Sequence, residues 1–236
     1  MNVHYQPIVD LETGSAVRAE AFCRLGDGEL GKIAASEFLP HAERNGMMRE
    51  LTEDVITQVL AARRTWSTQL PVAINLSQAN LFETDFCERV LGLFEQFDTD
   101  PALVTFELND GVQITLSTEE RAAMQRLALL GVRFSLDGFD IKRSDFAALR
   151  VTRLPLSELK IDARSLALER SIDPGLRRVM AFAREAHLDV VVKSVEKLEE
   201  TAALRAFGCT HAQGFAFGAP MESDQFAQWL AHMVAA

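Results

Sequence analysis

The sequence has few of the features that mark nucleic-acid-binding, secreted or membrane proteins. Its 236 residues carry 34 acidic but only 24 basic side chains, so the formal net charge is −10. This balance argues against a nucleic-acid binder, because such proteins normally present a basic face. No apolar run is long enough to cross a bilayer, and the N-terminus lacks the pattern of a signal peptide. We therefore expect a cytoplasmic protein with no membrane segment and no DNA or RNA partner.

The sequence also lacks the cysteine and glycine motifs that would indicate a metal, redox or phosphate-binding site. The three cysteines, Cys23, Cys87 and Cys209, are widely spaced and form no CxxC motif. This spacing predicts buried free thiols in a reducing compartment. No glycine-rich phosphate loop follows any predicted strand, which weakens a dinucleotide-binding Rossmann interpretation.

The chain does contain apolar strands that alternate with amphipathic helices. Predicted strands cover residues 3–11, 17–25, 72–76, 103–108, 132–136, 156–161, 189–192 and 209–215. The main predicted helices cover residues 48–66, 85–97, 117–130, 174–187, 195–207 and 223–234, with another beginning near Ser36. A turn at residues 12–15 makes the first two strands a hairpin, and helical connections imply parallel pairing elsewhere. Eight strands favour a closed α/β barrel over an open sheet.

We treat residues 1–236 as one domain because no linker or low-complexity segment interrupts this alternation. The sequence leaves two alternatives open. The chain is either a small whole protein or a domain cut from a larger multidomain protein.

Six of the predicted strands end on, or carry near their end, a polar side chain. In a barrel of parallel strands, the carboxyl ends meet at one mouth, where reaction centres lie. Four of these side chains supply the oxygen donors that Mg²⁺, Mn²⁺ or Ca²⁺ prefers, and the other two are lysines. Such donors repel one another unless a metal ion or a positive side chain lies among them. An inward salt-bridge network is the structural alternative. The six residues are Glu20, Asn75, Glu107, Asp137, Lys160 and Lys193.

Several segments together resemble the EAL domain family, whose signature tripeptide here reads Glu20-Ala21-Phe22. The similarity runs in order along essentially the whole chain. It is carried by Tyr5-Gln6-Pro7-Ile8-Val9, Ala19-Glu20-Ala21-Phe22-Cys23-Arg24, Ser36-Glu37-Phe38-Leu39-Pro40, Asn75-Leu76-Ser77, Phe106-Glu107-Leu108, Leu159-Lys160-Ile161-Asp162 and Ala212-Gln213-Gly214-Phe215.

The resemblance implies a single TIM-like (β/α)8 barrel with an antiparallel first strand. It also implies a link to cyclic di-GMP, which active family members hydrolyse to the linear dinucleotide with one or two divalent cations. On the family pattern, metal ligands match Glu20, Asn75, Glu107 and Asp137. Ligand-binding positions match Gln6, Arg24, Phe38 and Asp162, with Arg24 meeting a phosphate and Gln6 in the strand that lines the guanine pocket. Remnants of the catalytic machinery match Lys160, Glu196 and Gln213.

This chain departs from the active pattern at four places. Gly138 stands where a second aspartate would bind the second cation, and Lys193 stands where a glutamate belongs to the metal centre. The Thr and Glu of a Glu-x-Thr-Glu motif are Asn109 and Asp110. A loop that orders the active site is replaced by Asp140-Ile141-Lys142-Arg143-Ser144-Asp145.

These departures predict a degenerate member that has lost catalysis. Lys193 is expected to occupy the second-metal position electrostatically, paired with Asp137 or Glu107, and snorkelling to solvent is the alternative. We predict an inactive cyclic di-GMP receptor or regulator that acts through an unidentified protein partner and requires no cofactor. Two alternatives stay open: a weak phosphodiesterase using one Mg²⁺ or Mn²⁺, and a protein-binding regulator that no longer binds nucleotide. A homodimer also stays open, because the altered loop contributes to dimerisation in family members.

Overall fold

Strands and helices alternate along the chain in the computed structural model, which describes residues 1–26, 32–109, 116–140, 154–166 and 174–235. The strands are β1 (Asn2–Asp10), β2 (Ala16–Gly26), β3 (Lys32–Ala34), β4 (Val72–Asn75), β5 (Val104–Asn109), β6 (Arg133–Asp137), β7 (Glu158–Asp162), β8 (Asp189–Lys193), β9 (His211–Gln213) and β10 (Met221–Glu222). The helices are α1 (Ala35–Arg44), α2 (Met48–Arg63), α3 (Gln78–Leu81), α4 (Phe86–Gln96), α5 (Thr118–Leu129), α6 (Pro174–Ala186), α7 (Glu200–Ala206) and α8 (Ser223–Ala235).

Eight of the strands close into a barrel. Strand β2 pairs in parallel with β4, and parallel pairing continues in order through β5, β6, β7, β8 and β9. Strand β1 closes the ring by pairing antiparallel with both β2 and β9. The short strands β3 and β10 pair antiparallel with β2 and β1 outside this ring. The predicted TIM-like (β/α)8 barrel with an antiparallel first strand is therefore confirmed.

The barrel strands are buried on both faces, which explains why the sequence shows them as continuous apolar runs. Val72, Ala73 and Ile74 of β4 are all fully buried, for example. Outside the barrel, Trp66 packs its ring against Tyr5 and Phe226, with ring centroids 5.3 and 5.1 Å away. These aromatic contacts fix α8 and the end of the α2 connection against β1.

Helix boundaries follow local chemistry. Helix α5 begins after Ser117, whose side chain accepts a hydrogen bond from the backbone N–H of Glu120, while the Glu120 carboxylate accepts one from the N–H of Ser117. This reciprocal capping box satisfies two amide groups that a helix start otherwise leaves unpaired. No helix in the described part of the chain is long and apolar enough to span a membrane.

Some predicted boundaries are wrong. Helix α2 ends at Arg63 instead of residue 66, and α7 begins only at Glu200 instead of residue 195. The helix does not begin at Val195 because its backbone N–H and C=O bond to Gln213 and Ala216, and the N–H groups of Glu196 and Lys197 bond to the side chain of Glu200. The last barrel strand is shorter than predicted and ends at Gln213, and β3, α3 and β10 were not predicted. Residues 141–153, between β6 and β7, lie outside the described residues.

Candidate functional site

Lys160 is the centre of a buried polar cluster at the carboxyl ends of the strands. Its side chain is fully buried, and Nζ donates to Oε2 of Glu20 at 2.5 Å and to Oε1 of Glu107 at 2.6 Å. Glu20 also accepts from Nδ2 of Asn75 at 3.2 Å and from Nε2 of Gln213 at 2.8 Å. The closed barrel thus joins the ends of β2, β4, β5, β7 and β9 in one hydrogen-bonded group.

The acids of this cluster differ in their electrostatic balance. Burial acts to raise the pKa of Glu20, but the charge and hydrogen bond of Lys160 outweigh it, so this pKa is lowered. The pKa of Glu107 is raised well above its usual value, by burial first and then by the charge of Glu20. Burial opposes the charged form of Lys160, yet Glu107 and Glu20 raise its pKa. One oxygen of Glu107, Oε2, is buried and has no hydrogen-bond partner among the residues that the structure describes. The cluster therefore holds one carboxylate that its neighbours only partly compensate.

A second ion pair lies nearer the surface. Nζ of Lys193 donates to Oδ1 of Asp137 at 2.6 Å, and the two side chains are 26% and 14% exposed. The same oxygen accepts from the backbone N–H of Gly138 at 2.8 Å. Of the two carboxylates considered as partners for Lys193, the structure places it on Asp137. All six polar strand-end residues thus fall into these two ion-paired groups.

Position 138 carries no side chain. Gly138 has φ +70°, a left-handed conformation, and an added Cβ would meet no heavy atom of the described residues within 4 Å. Aspartate is among the residues that adopt this conformation most readily after glycine. The missing carboxylate at this position is therefore a matter of sequence and not of a blocked space.

Gln213 is held in place by the glycine that follows it. An added Cβ on Gly214 would lie 2.0 Å from the carbonyl oxygen of Val195, so only glycine permits this close approach. The side chain of Gln213 also donates to Oε1 of Gln6 at 3.2 Å, and Gln6 donates to the carbonyl oxygen of Gly218 at 2.9 Å. These contacts extend the buried cluster to β1 and the loop after β9.

A cavity of about 940 Å³ opens above the two ion-paired groups. Arg24 lies at its wall, with Nη1 donating to the carbonyl oxygen of Cys23 and the guanidinium 5.6 Å from the ring centroid of Phe22. Other predicted site residues also line the cavity, namely Gln6, Glu20, Asn75, Asp137, Lys193, Glu196 and Gln213.

Other predicted site residues lie outside this lining. Lys160 and Glu107 are buried below the cavity, and Asp162 lies beside it, bonded to residues that do line it. On α1, the cavity is lined by Leu39 and Pro40 and not by their neighbour Phe38. A cavity of this size and polarity is typical of a small-molecule site.

The structure describes only some of the loop residues that depart from the family pattern. Asn109 lines the cavity, whereas Asp110 and residues 141–145 lie outside the described residues.

Sequence reasoning missed two residues at the cavity wall. Arg164 follows Asp162 by two positions and binds its carboxylate, and Ser194 donates to Oδ2 of Asp162 at 3.2 Å. Ser194 has φ +63°, which is uncommon for a residue with a side chain and marks the turn after β8. Their position in the sequence, within two residues of the ends of β7 and β8, was the available signal.

The residues at the barrel mouth suit the binding of one divalent cation better than the binding of two. The carboxylates of Glu20, Glu107 and Asp137 and the amide of Asn75 are the donor types that Mg²⁺ or Mn²⁺ prefers. Oε2 of Glu107, which has no partner among the described residues, could bind one such cation. A second cation fits poorly, because Gly138 offers no carboxylate and the Lys193 ammonium already occupies Asp137. Within the described ranges, no group of three or more His, Cys, Asp or Glu side chains is arranged to hold a metal ion.

Comparison with known proteins identifies the class of this barrel. The family described as EAL domain matches residues 1–220, so the chain belongs to the EAL domain family. It is related to cyclic di-GMP phosphodiesterases. It is 29% identical over 232 residues to the cyclic di-GMP phosphodiesterase PA2567 of Pseudomonas aeruginosa, covering 96% of this chain and 39% of that protein.

Two further similarities involve a single relative. The bifunctional diguanylate cyclase/cyclic di-GMP phosphodiesterase MucR of P. aeruginosa is 27% identical over 230 residues, covering 94% of this chain and 33% of that protein. The solved structure of the PaMucR phosphodiesterase in complex with c-di-GMP superposes with a TM-score of 0.84 at 28% identity, covering 95% of this chain and 93% of that one. The chain therefore spans well under half the length of these two curated relatives.

Proposed function

We propose that this domain is a cyclic di-GMP receptor that has lost phosphodiesterase activity. The observation that carries the proposal is the ion pair between Lys193 and Asp137, next to Gly138, which provides no carboxylate. Two-metal hydrolysis needs one cation to activate water and another to stabilise the leaving oxygen. An ammonium cannot lower the pKa of a water as a divalent cation does, so this position cannot take part in activating the attacking water.

Ligand binding does not require the missing groups. The cavity keeps Arg24 for a phosphate and the Gln6–Gln213 wall for a base, and neither contacts Lys193 or Gly138 through a hydrogen bond described above. The oxygen donors available to a single cation are Glu20, Asn75, Glu107 and Asp137, but such a cation would have to displace Lys193 from Asp137 and compete with Lys160 for Glu20 and Glu107. We propose that this cation is not needed for binding, because Lys160 already compensates much of the buried negative charge.

We further propose that the domain acts in the cytoplasm and passes the bound state to a protein partner, since a receptor without turnover must signal by contact. A homodimer remains a separate proposal for the altered loop.

The test is calorimetric titration of cyclic di-GMP into the domain, in chelator and again with Mn²⁺, beside a hydrolysis assay. The proposal expects binding under both conditions and no linear dinucleotide. Turnover that depends on Mn²⁺ would establish the weak phosphodiesterase instead. An absence of heat under both conditions would favour the regulator that no longer binds nucleotide.

A further inference from the structure

Arg164 lies at the cavity wall on the short turn that follows β7. This turn, Ala163–Ser165, is capped by Asp162, whose carboxylate accepts from the backbone N–H of Arg164 at 2.9 Å. Lys160 on β7 is buried inside the barrel, whereas the Arg164 side chain is 73% exposed. The end of β7 and the turn after it thus place one positive side chain in the buried cluster and another at the rim of the barrel.

Arg164 and Arg24 lie on opposite sides of the barrel mouth. Arg24 belongs to β2, and Arg164 lies in the turn that follows β7, two residues after its last residue. Around the closed ring, β7 is four strands from β2 in one direction, through β4, β5 and β6, and four in the other, through β1, β9 and β8. In an eight-stranded barrel these two positions face each other across the axis.

The present partner of Arg164 holds it only weakly. Its guanidinium forms a forked ion pair with Asp162, with Nη2 at 2.5 Å and Nε at 2.9 Å from the two carboxylate oxygens. The arginine of this pair is 73% exposed, so water screening and the lost rotation of a long side chain reduce what even a forked pair contributes. Asp162 also keeps its hydrogen bond from Ser194 when the arginine leaves. Arg164 can therefore turn toward an anion in the cavity at small cost.

The other cation at the wall is less available. Lys193 is three-quarters buried and bound to Asp137, where its ammonium compensates that carboxylate. Within the described part of the chain, the arginines that line the cavity are thus Arg24 and Arg164. Guanidinium groups bind phosphate oxygens with two parallel hydrogen bonds, which a lysine cannot do.

We propose that Arg164 is a second phosphate-binding residue, opposite Arg24, and that the two arginines together select a ligand that carries two phosphodiester groups on opposite sides. This inference rests on the proposed receptor function and extends it. A cyclic dinucleotide presents one phosphate to each side of the mouth, whereas a mononucleotide reaches one arginine at a time. Arg164 replaces, on this side of the cavity, part of the positive charge that divalent cations would supply.

The test is calorimetric titration of cyclic di-GMP, and of GMP as the single-phosphate probe, in chelator. The variants are Arg164→Gln, Arg164→Lys, Arg24→Gln and the control Arg126→Gln. Arg126 is also exposed and paired with a carboxylate, Glu88, but it lies on α5 and does not line the cavity. Circular dichroism establishes that each variant is folded.

We expect Arg164→Gln to weaken cyclic di-GMP binding by about tenfold or more, as is typical for losing hydrogen bonds between charged groups. Arg164→Lys should fall between the native protein and the glutamine variant, since it keeps the charge but not the fork. The GMP affinity should change much less, so selectivity for the cyclic dinucleotide falls.

Three results would overturn the inference. If Arg164→Gln binds like the native protein while Arg24→Gln loses affinity, the receptor stands and the second arginine does not. If Arg126→Gln weakens binding equally, the effect is only the net charge. If the native protein binds no cyclic di-GMP, the receptor proposal fails and this one fails with it.

Discussion

The ammonium of Lys193 lies 2.6 Å from Oδ1 of Asp137, at the ends of two strands that are not neighbours in the barrel. This contact joins β8 to β6 above the buried Lys160 cluster. A divalent cation about 4 Å from such an ammonium would be repelled by about 8 kcal/mol at an effective dielectric constant of about 20. The ion pair therefore opposes a second cation at Asp137 more strongly than the missing carboxylate alone.

Metal affinity should return when both departures are reversed together. The carboxylates of Glu20, Glu107 and Asp137 and the ammonium groups of Lys160 and Lys193 carry a formal charge of −1. Gly138→Asp with Lys193→Glu changes this charge to −4, and among the described residues the Cβ added at position 138 meets no atom within 4 Å. We expect calorimetry to show that the double variant binds Mn²⁺ measurably tighter than the native protein. Hydrolysis of cyclic di-GMP can be assayed in the same samples.

The single variants are the controls for that experiment. Gly138→Asp leaves Lys193 in place to pair with the new acid, and Lys193→Glu leaves position 138 without a ligand, so each alone should change Mn²⁺ affinity little. Equal gains from Lys193→Glu alone and from the double variant would show that Gly138 is irrelevant to the metal site.

Removing Lys160 should strongly destabilise the fold. Lys160→Met leaves Glu20 and Glu107 buried without their shared counter-charge, and breaking a buried ion pair in this way costs about 3–5 kcal/mol of unfolding free energy. Urea denaturation measures this loss. Lys193→Met is the matched control, because its pair keeps 26% and 14% of the two side chains exposed and its loss should cost less than that of the fully buried Lys160. Similar losses for both lysines would contradict the assigned difference in burial.

Gly214→Ala should damage both stability and binding. The new methyl group would overlap the backbone of Val195, and relieving such overpacking costs about 1–3 kcal/mol. The shift also moves Gln213 away from Glu20 and Gln6, so cyclic di-GMP affinity should fall as well. Thermal unfolding and calorimetry measure the two effects.

Gly92→Ala provides the comparison for that variant. Gly92 lies within α4, and an added Cβ there meets no heavy atom within 4 Å. Alanine should stabilise this helix by about 0.5–1 kcal/mol, because glycine loses more backbone entropy on folding. If Gly214→Ala behaves like Gly92→Ala, the close approach to Val195 is not a constraint.

Much of the fold could be predicted because strand burial leaves a direct trace in the sequence. Val72–Asn75 shows three apolar residues and then a polar one, which places the polar group at the strand end. The helix before β4 was overextended because Trp66 continues the apolar pattern, although it packs on Tyr5 and Phe226 from a turn. The helix start at residue 195 was misassigned for a similar reason, since the backbone of Val195 bonds to Gln213 and Ala216, which local propensity does not report.

The sequence by itself determined the barrel and the identities of the six polar strand ends, because alternation and burial are local properties of the chain. Only the tertiary structure decided that Lys193 meets Asp137 and not Glu107, that one oxygen of Glu107 lacks a partner among the described residues, and that Arg164 faces Arg24 across the mouth. These relationships join strands far apart in sequence, and closure of the barrel fixes distances that no local pattern encodes.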